Sequence, residues 1–124
     1  MNSQSKELEK VYLAFPSSYI NQNNEMIIYP KRNTYFLLDN VSNEMDLNCK
    51  ILEWLSRETI RSSSPTSRKY HLYGINRYFK KDFTAKDMEL IYRRVGSGIN
   101  RELCIKFIES GLDMSVLTDK ELEK

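Results

Sequence analysis

The sequence is poor in the residues that build metal sites and disulfide frameworks. Two cysteines and one histidine, Cys49, Cys104 and His71, are spread along 124 residues. A structural zinc site needs about four Cys or His ligands at close paired spacing, so we predict no metal site, and nothing in the chain indicates a cofactor. Two cysteines are also too few for a disulfide framework. We expect both thiols to be buried, because free cysteine behaves as a small hydrophobic residue.

Long apolar runs are missing as well. The longest such run spans five residues, Val11 to Phe15, whereas a membrane helix needs about 20, so no membrane span is predicted. Residues 1–10 contain no apolar signal-peptide region, which predicts a cytoplasmic protein. Three prolines, four glycines and 40% apolar residues are typical of a globular chain, and this length fits one domain, residues 1–124.

Hydrophobic spacing predicts an α+β fold that is mostly α, with about five helices and one N-terminal β-hairpin. A first helix is expected over Ser5 to Phe15, with Leu8, Val11, Tyr12 and Phe15 on its apolar face and Pro16 as its stop. The polar stretch at residues 17–24 is expected to be a loop. The remaining elements are a hairpin at 25–39, helices at 46–61, 68–81, 84–95 and 100–110, a serine loop at 62–67, and a short C-terminal helix.

Several end signals support these helices. Thr84 and Asp87 have the spacing of a capping box, and Asn100 can cap the next helix. Gly111 is expected to end that helix in a left-handed conformation. In helix 46–61, the spacing also places Trp54 in the apolar stripe.

The net charge of +2 is unevenly distributed along the chain. Residues 50–81 carry eight basic and two acidic side chains, a balance of +6, whereas residues 1–49 and residues 82–124 each have a balance of −2. A local cluster of this kind creates a field that attracts a partner, while dispersed charges do not. The central segment is therefore the best candidate for a functional surface.

We predict a partner-binding surface in this segment. Lys69, Tyr73, Arg77 and Lys81 recur every four residues, so a helix would align them. Lys and Arg neutralise phosphates and Tyr stacks on unpaired bases, but Arg and Tyr also dominate protein interfaces. A nucleic acid and an acidic protein surface both remain open as partners, as does an ordinary solvated helix face. The candidate residues are Arg57, Arg61, Arg68, Lys69, Tyr70, Tyr73, Arg77, Lys80 and Lys81, with Tyr78 interleaved among them.

Catalytic arrangements are less well supported. Cys49 or Cys104 could in principle pair with His71, but no signature surrounds either cysteine. His71 is expected to be partly exposed or hydrogen-bonded on its helix. Asp82, Asp87 and Glu89 are close in sequence, as metal-dependent nucleases require, although Asp87 suits a cap and Glu89 a solvent face. A helix-turn-helix at 84–110 lacks the expected small and apolar residues. We therefore predict no catalytic residues and a protein that is not an enzyme.

An ordered string of residues in the C-terminal part carries a family resemblance. It consists of Gly74-Ile-Asn76, Asp82-Phe-Thr84, Asp87-Met88, Ile91-Tyr92, Gly98-Ile-Asn100, Lys106-Phe-Ile-Glu-Ser-Gly111 and Asp113-Met114. With the Trp54–Arg57 segment, it resembles small proteins encoded in prophages and mobile elements of low-GC Gram-positive bacteria, over roughly residues 45–117.

This resemblance implies a function rather than a set of catalytic residues. Small accessory proteins of phages and mobile elements commonly bind and disable a host macromolecule. The leading hypothesis is thus a non-catalytic anti-defence protein, specifically an inhibitor of a CRISPR–Cas nuclease (an anti-CRISPR), that docks on a protein or ribonucleoprotein in the bacterial host cell. The alternative is a nucleic-acid-binding accessory protein of replication or transcription.

Overall fold

The computed structural model describes residues 9–23, 25–31, 34–38 and 41–118. Within these ranges the chain is mostly helical, and an antiparallel hairpin lies near its N-terminus, so the predicted fold class is confirmed. The elements in order are helix α1, described over residues 9–14, strands β1 (Tyr19–Ile20), β2 (Met26–Lys31) and β3 (Thr34–Leu38), and helices α2 (Glu44–Arg61), α3 (Pro65–Phe79), α4 (Ala85–Val95), α5 (Arg101–Glu109) and α6 (Ser115–Thr118). A 3₁₀ turn over Gly96–Gly98 separates α4 from α5.

The sheet has three antiparallel strands in the order β1-β2-β3. In the predicted hairpin, Ile27 of β2 faces Leu37 of β3, and a register shift follows Ile28. The third strand, β1, lies in the stretch expected to be a loop, where Tyr19 pairs with Ile27. A strand of two residues leaves no period in the sequence, so this pairing was not predictable from spacing.

Helix α2 is the central element of the core. Leu47, Ile51 and Leu55 lie on its wholly buried side, and α3, α4, α5 and the 3₁₀ turn all pack against this helix.

Two aromatic residues predicted on apolar helix faces are instead exposed at the surface. Tyr12 of α1 is 39% exposed and Trp54 of α2 is 36% exposed. Both predictions of burial were wrong, because each residue lies at the edge of its apolar stripe.

The serine segment is shorter than predicted. Helix α3 begins at Pro65, where proline suits the first helical position, so only Ser62 to Ser64 connect α2 with α3. Ser62 is the C-cap of α2, and the Ser64 Oγ accepts a hydrogen bond from the Ser67 N–H at 3.4 Å. The serines therefore end one helix and start the next. At its other end α3 stops at Phe79 instead of residue 81.

Helix α1 reaches α3 through a glycine. The Phe15 ring, which follows α1, lies so close to Gly74 that a Cβ there would approach the ring to 2.6 Å. The same ring stacks on Tyr78, with centroids 6.1 Å apart. A glycine weakens a helix by about 1 kcal/mol relative to alanine. The close approach of the Phe15 ring explains why position 74 of α3 is nevertheless a glycine.

The predicted caps are present where the structure describes them. Thr84 and Asp87 form a reciprocal capping box, Asn100 caps α5, and Gly111 follows α5 with a φ of 82°.

The predicted start of the first helix, with Ser5 and Leu8, lies outside the described residues. So do Arg32 and Asn33 of the hairpin loop and Asp39, where the hairpin was expected to end. Among the described helices, none has both the length and the apolar character needed to cross a membrane.

Candidate functional site

Four of the predicted partner-binding residues share the side of α3 that faces away from the core. Lys69, Tyr70, Tyr73 and Arg77 are all exposed, and each tyrosine is 52% exposed. We call these four residues the outer α3 face. The Lys69 ammonium lies 5.8 Å from the centre of the Tyr73 ring. Arg77 is also anchored, because its Nη1 donates a hydrogen bond to the Ala14 carbonyl at 3.2 Å.

The opposite side of α3 is buried against the core. His71, Ile75 and Tyr78 are each at most 1% exposed. Tyr78, which the sequence interleaves with the cations, donates its hydroxyl to Asn48 at 2.7 Å and is therefore a core residue. His71 was expected to be partly exposed or hydrogen-bonded, and the second of these is confirmed by the 3.3 Å contact between its Nδ1 and the Ser62 Oγ.

Three other predicted cations flank the outer α3 face at the ends of the helix. The Arg68 Nε donates a hydrogen bond to the Ser62 carbonyl at 2.7 Å, which ties Arg68 to the connection between α2 and α3. At the C-terminal end, Lys80 is the exposed C-cap with a φ of 57°, and Lys81 is half-buried. These residues extend the positive charge along α3.

Arg57 and Arg61 do not join this surface. They line a groove of about 580 Å³ between α2, α4, the 3₁₀ turn and the start of α5. The other lining residues are Leu37, Lys50, Glu53, Trp54, Tyr92, Ser97 and Arg101. The nine predicted residues are thus divided between two surfaces, because α2 and α3 present their cations in different directions.

One face of α2 supplies the positive charge and the aromatic surface of the groove. Lys50, Trp54, Arg57 and Arg61 recur at spacings of four, three and four, so they lie on one side of the helix. The Arg57 guanidinium lies 5.3 Å from the centre of the Trp54 ring, within the range of a cation–π contact. No carboxylate in the described part of the chain lies within 4 Å of a nitrogen of Arg57 or Arg61.

Arg101 lines the groove and links α5 to α2. Its Nε and Nη2 each donate to a Glu53 carboxylate oxygen at 2.8 Å, and its Nη1 donates to Asp46 at 2.8 Å. Burial alone would raise the pKa of Asp46, but hydrogen bonds from the Ser42 N–H and from Arg101 hold that pKa below its usual range. The same carboxylates raise the pKa of Arg101, led by the bond to Glu53.

The 3₁₀ turn shapes the far wall of the groove. The Tyr92 ring lies directly against Gly96, where an added Cβ would clash with the ring. Ser97 follows with a φ of 56°, which brings the turn back toward α2. Glycine at position 96 is therefore needed for Tyr92 to line the groove.

Three of the residues considered for catalysis have structural roles in the fold. Cys49 and Cys104 are both fully buried, as predicted. The neighbouring Cys49 thiol, together with burial, raises the pKa of Cys104. Asp87 is occupied in the α4 capping box. Across residues 9–118, wherever the structure describes them, no group of three or more His, Cys, Asp or Glu side chains is placed to hold a metal ion.

Lys50, Trp54, Tyr92 and Arg101 are candidate site residues that the sequence analysis did not assign. The spacing of Lys50 and Trp54 relative to Arg57 carried a signal, because it continues the same helix face, but Trp54 was assigned only to the apolar stripe of this helix. Arg101 is 48 residues from Glu53, so no local pattern connects them. Comparison with protein-family models, curated proteins and solved structures finds no match to this chain.

Proposed function

We propose that the protein is a non-catalytic binding protein that docks on an acidic protein surface through the outer α3 face. The observation that carries this proposal is the exposure of two tyrosines beside two cations on one side of α3. Arg and Tyr contribute much of the binding energy at protein interfaces, because each combines a large contact area with polar groups. No carboxylate among the described residues lies within 4 Å of the Lys69 ammonium or the Arg77 guanidinium, so both charges are available for a partner.

The composition of this surface favours a protein over bare nucleic acid. The outer α3 face combines two cations with two tyrosines instead of presenting a continuous run of cations, and the whole chain has a net charge of only +2. Binding to a phosphate backbone depends on neutralising many phosphates at once, which needs a larger basic surface.

The partner is a defence nuclease of the bacterial host, and binding inhibits it. The resemblance to prophage and mobile-element proteins supports this choice, and a CRISPR–Cas nuclease is the specific candidate. The protein would then act in the host cytoplasm as an anti-CRISPR, needing neither a cofactor nor a catalytic residue of its own.

The proposal is tested with CRISPR–Cas nucleases of low-GC Gram-positive bacteria, each assembled with its guide RNA. The wild-type protein is expected to inhibit cleavage of target DNA by at least one of them. The double variant Lys69→Glu/Tyr73→Ala should raise the half-inhibitory concentration by tenfold or more, since losing one contact of about 1.4 kcal/mol already gives tenfold. Both positions are exposed, and circular dichroism checks that the variant is folded.

Lys106→Glu is the matched control. Lys106 is exposed on α5, outside the outer α3 face, so this variant should inhibit like the wild type. The proposal fails if no nuclease is inhibited, or if Lys106→Glu reduces inhibition as much as the double variant does. Filter binding to bare DNA and RNA tests the alternative, an accessory protein of replication or transcription, for which affinity would fall steeply with salt.

A further inference from the structure

The groove beside α2 combines two features that a single type of ligand satisfies. Two arginines without a described acidic partner stand next to two aromatic rings, all within a space of about 580 Å³. We propose that this groove binds a nucleotide, with Arg57 and Arg61 on the phosphate and Trp54 and Tyr92 on the base. The proposal is independent of the docking function, because the groove and the outer α3 face share no residue.

The charges in the groove define where the phosphate binds. Glu53 is the only carboxylate among the described lining residues, and both of its oxygens already accept hydrogen bonds from Arg101. The Lys50 ammonium lies 3.3 Å from a carboxylate oxygen of Asp46. Arg57 and Arg61 therefore supply the available positive charge. They lie one helical turn apart, and a guanidinium can donate two parallel hydrogen bonds to phosphate oxygens.

The aromatic surface defines the second part of the ligand. Trp54 is 36% exposed and lines the groove from α2, and Tyr92 lines it from α4. Aromatic rings stack on nucleobases of any sequence, and a neighbouring arginine adds to the attraction. Inorganic phosphate would make no contact with either ring, and an uncharged nucleoside would leave both arginines without a counter-charge.

The size of the groove agrees with a ligand of this class. Pockets for small organic ligands have volumes of about 300–1,000 Å³, and the groove lies within that range. The nucleotide can be free in solution or can be one unit of a single-stranded nucleic acid. Both sources present the same phosphate and base, and the experiment distinguishes them.

Trp54 is the only tryptophan of the 124 residues, so its fluorescence reports directly on the groove. Titration with UMP and AMP is expected to quench this emission, and calorimetry on the same samples gives the dissociation constant. Inorganic phosphate and adenosine are the part-ligands, and each is expected to bind at least tenfold more weakly than AMP. Phosphate that binds as tightly as AMP would overturn the proposal, because the rings would then contribute nothing.

Variants that replace one arginine with an uncharged glutamine identify where the phosphate binds. Arg57→Gln and Arg61→Gln are each expected to weaken nucleotide binding by about tenfold, the effect of one charge-assisted hydrogen bond. Arg93→Gln is the matched control, because Arg93 is exposed on α4 and does not line the groove. Its affinity should stay within twofold of the wild type. An equal loss in all three variants would mean non-specific attraction and would overturn the proposal.

An eight-residue oligouridine identifies the source of the nucleotide. Eight equivalent nucleotides raise the apparent affinity eightfold by their number alone. If the oligouridine binds more than eightfold more tightly than UMP, the site therefore takes a nucleotide within a single strand. If it binds no more tightly than that, the site takes a free nucleotide. Failure of UMP, AMP and the oligouridine alike to bind at millimolar concentration would overturn the proposal.

Discussion

At the scale of single residues, Asn76 holds two parts of the chain together with one amide. Its side chain donates to the Phe83 carbonyl at 3.1 Å and accepts from the Phe83 N–H at 2.8 Å. Phe83 itself is buried against Phe107. The amide thus replaces the backbone partners that Phe83 lacks between α3 and α4.

Replacing Asn76 with Ala is expected to lower the free energy of unfolding by about 2 kcal/mol, because both backbone groups of Phe83 lose their partner. Urea unfolding followed by circular dichroism measures this change. Asn23→Ala is the control, since Asn23 is exposed in the loop after β1 and its substitution should cost no more than about 0.5 kcal/mol. A loss for Asn76→Ala no greater than for Asn23→Ala would show that the two bonds do not stabilise the fold.

At the scale of elements, the local features of the helices were predictable and their mutual contacts were not. Thr84 with Asp87 and Asn100 could be identified as caps, because a cap depends only on residues within three positions of it. The start of α3 was misplaced, because Pro65 was interpreted as a loop residue although proline also suits a first helical position.

Contacts between distant elements left no such local signal. The division of the cations between the groove and the outer α3 face depends on how α2 and α3 pack, which spacing along the chain does not encode. The same holds for strand β1, whose pairing with β2 depends on the path of the intervening loop.

The contact of α5 with α2 is expected to depend on pH. The folded-state pKa of Asp46 lies below the usual range of an aspartate, so its bonds to Arg101 and Lys50 stabilise the fold at pH values above the unfolded pKa. That contribution is lost as the pH falls through the folded pKa. Unfolding free energy measured from pH 7 to pH 2 should therefore decrease in the acid range.

Asp46→Asn removes this contribution. The variant should be less stable by about 1.5 kcal/mol at pH 7, a value typical of a hydrogen bond to a charged group, and the difference from wild type should shrink below pH 4. Asp82→Asn is the control, because Asp82 is exposed and forms no ion pair with any residue that the structure describes. Parallel pH curves for wild type and Asp46→Asn would contradict this role of Asp46.

At the scale of the whole molecule, the two thiols report on global opening. Cys49 of α2 and Cys104 of α5 are 0% exposed and α2 packs against α5, so a reagent reaches either sulfur only after these helices separate. Because α2 is the helix on which most of the core packs, separation of α2 from α5 means loss of the core. Labelling of the thiols should then follow the population of the unfolded state and not a local fluctuation.

A disulfide reagent such as dithionitrobenzoate is therefore expected to react slowly with the native protein and to label two thiols at once in urea. When the protein refolds faster than the reagent reacts, the labelling rate is proportional to the equilibrium constant for opening. If Asn76→Ala lowers the free energy of unfolding by about 2 kcal/mol, its thiols should therefore react about 30-fold faster than those of the wild type. Asn23→Ala should react at the wild-type rate. If one thiol of the native wild type reacts as fast as free cysteine, or if Asn76→Ala loses stability without faster labelling, exposure of the thiols is local and the core does not open as one unit.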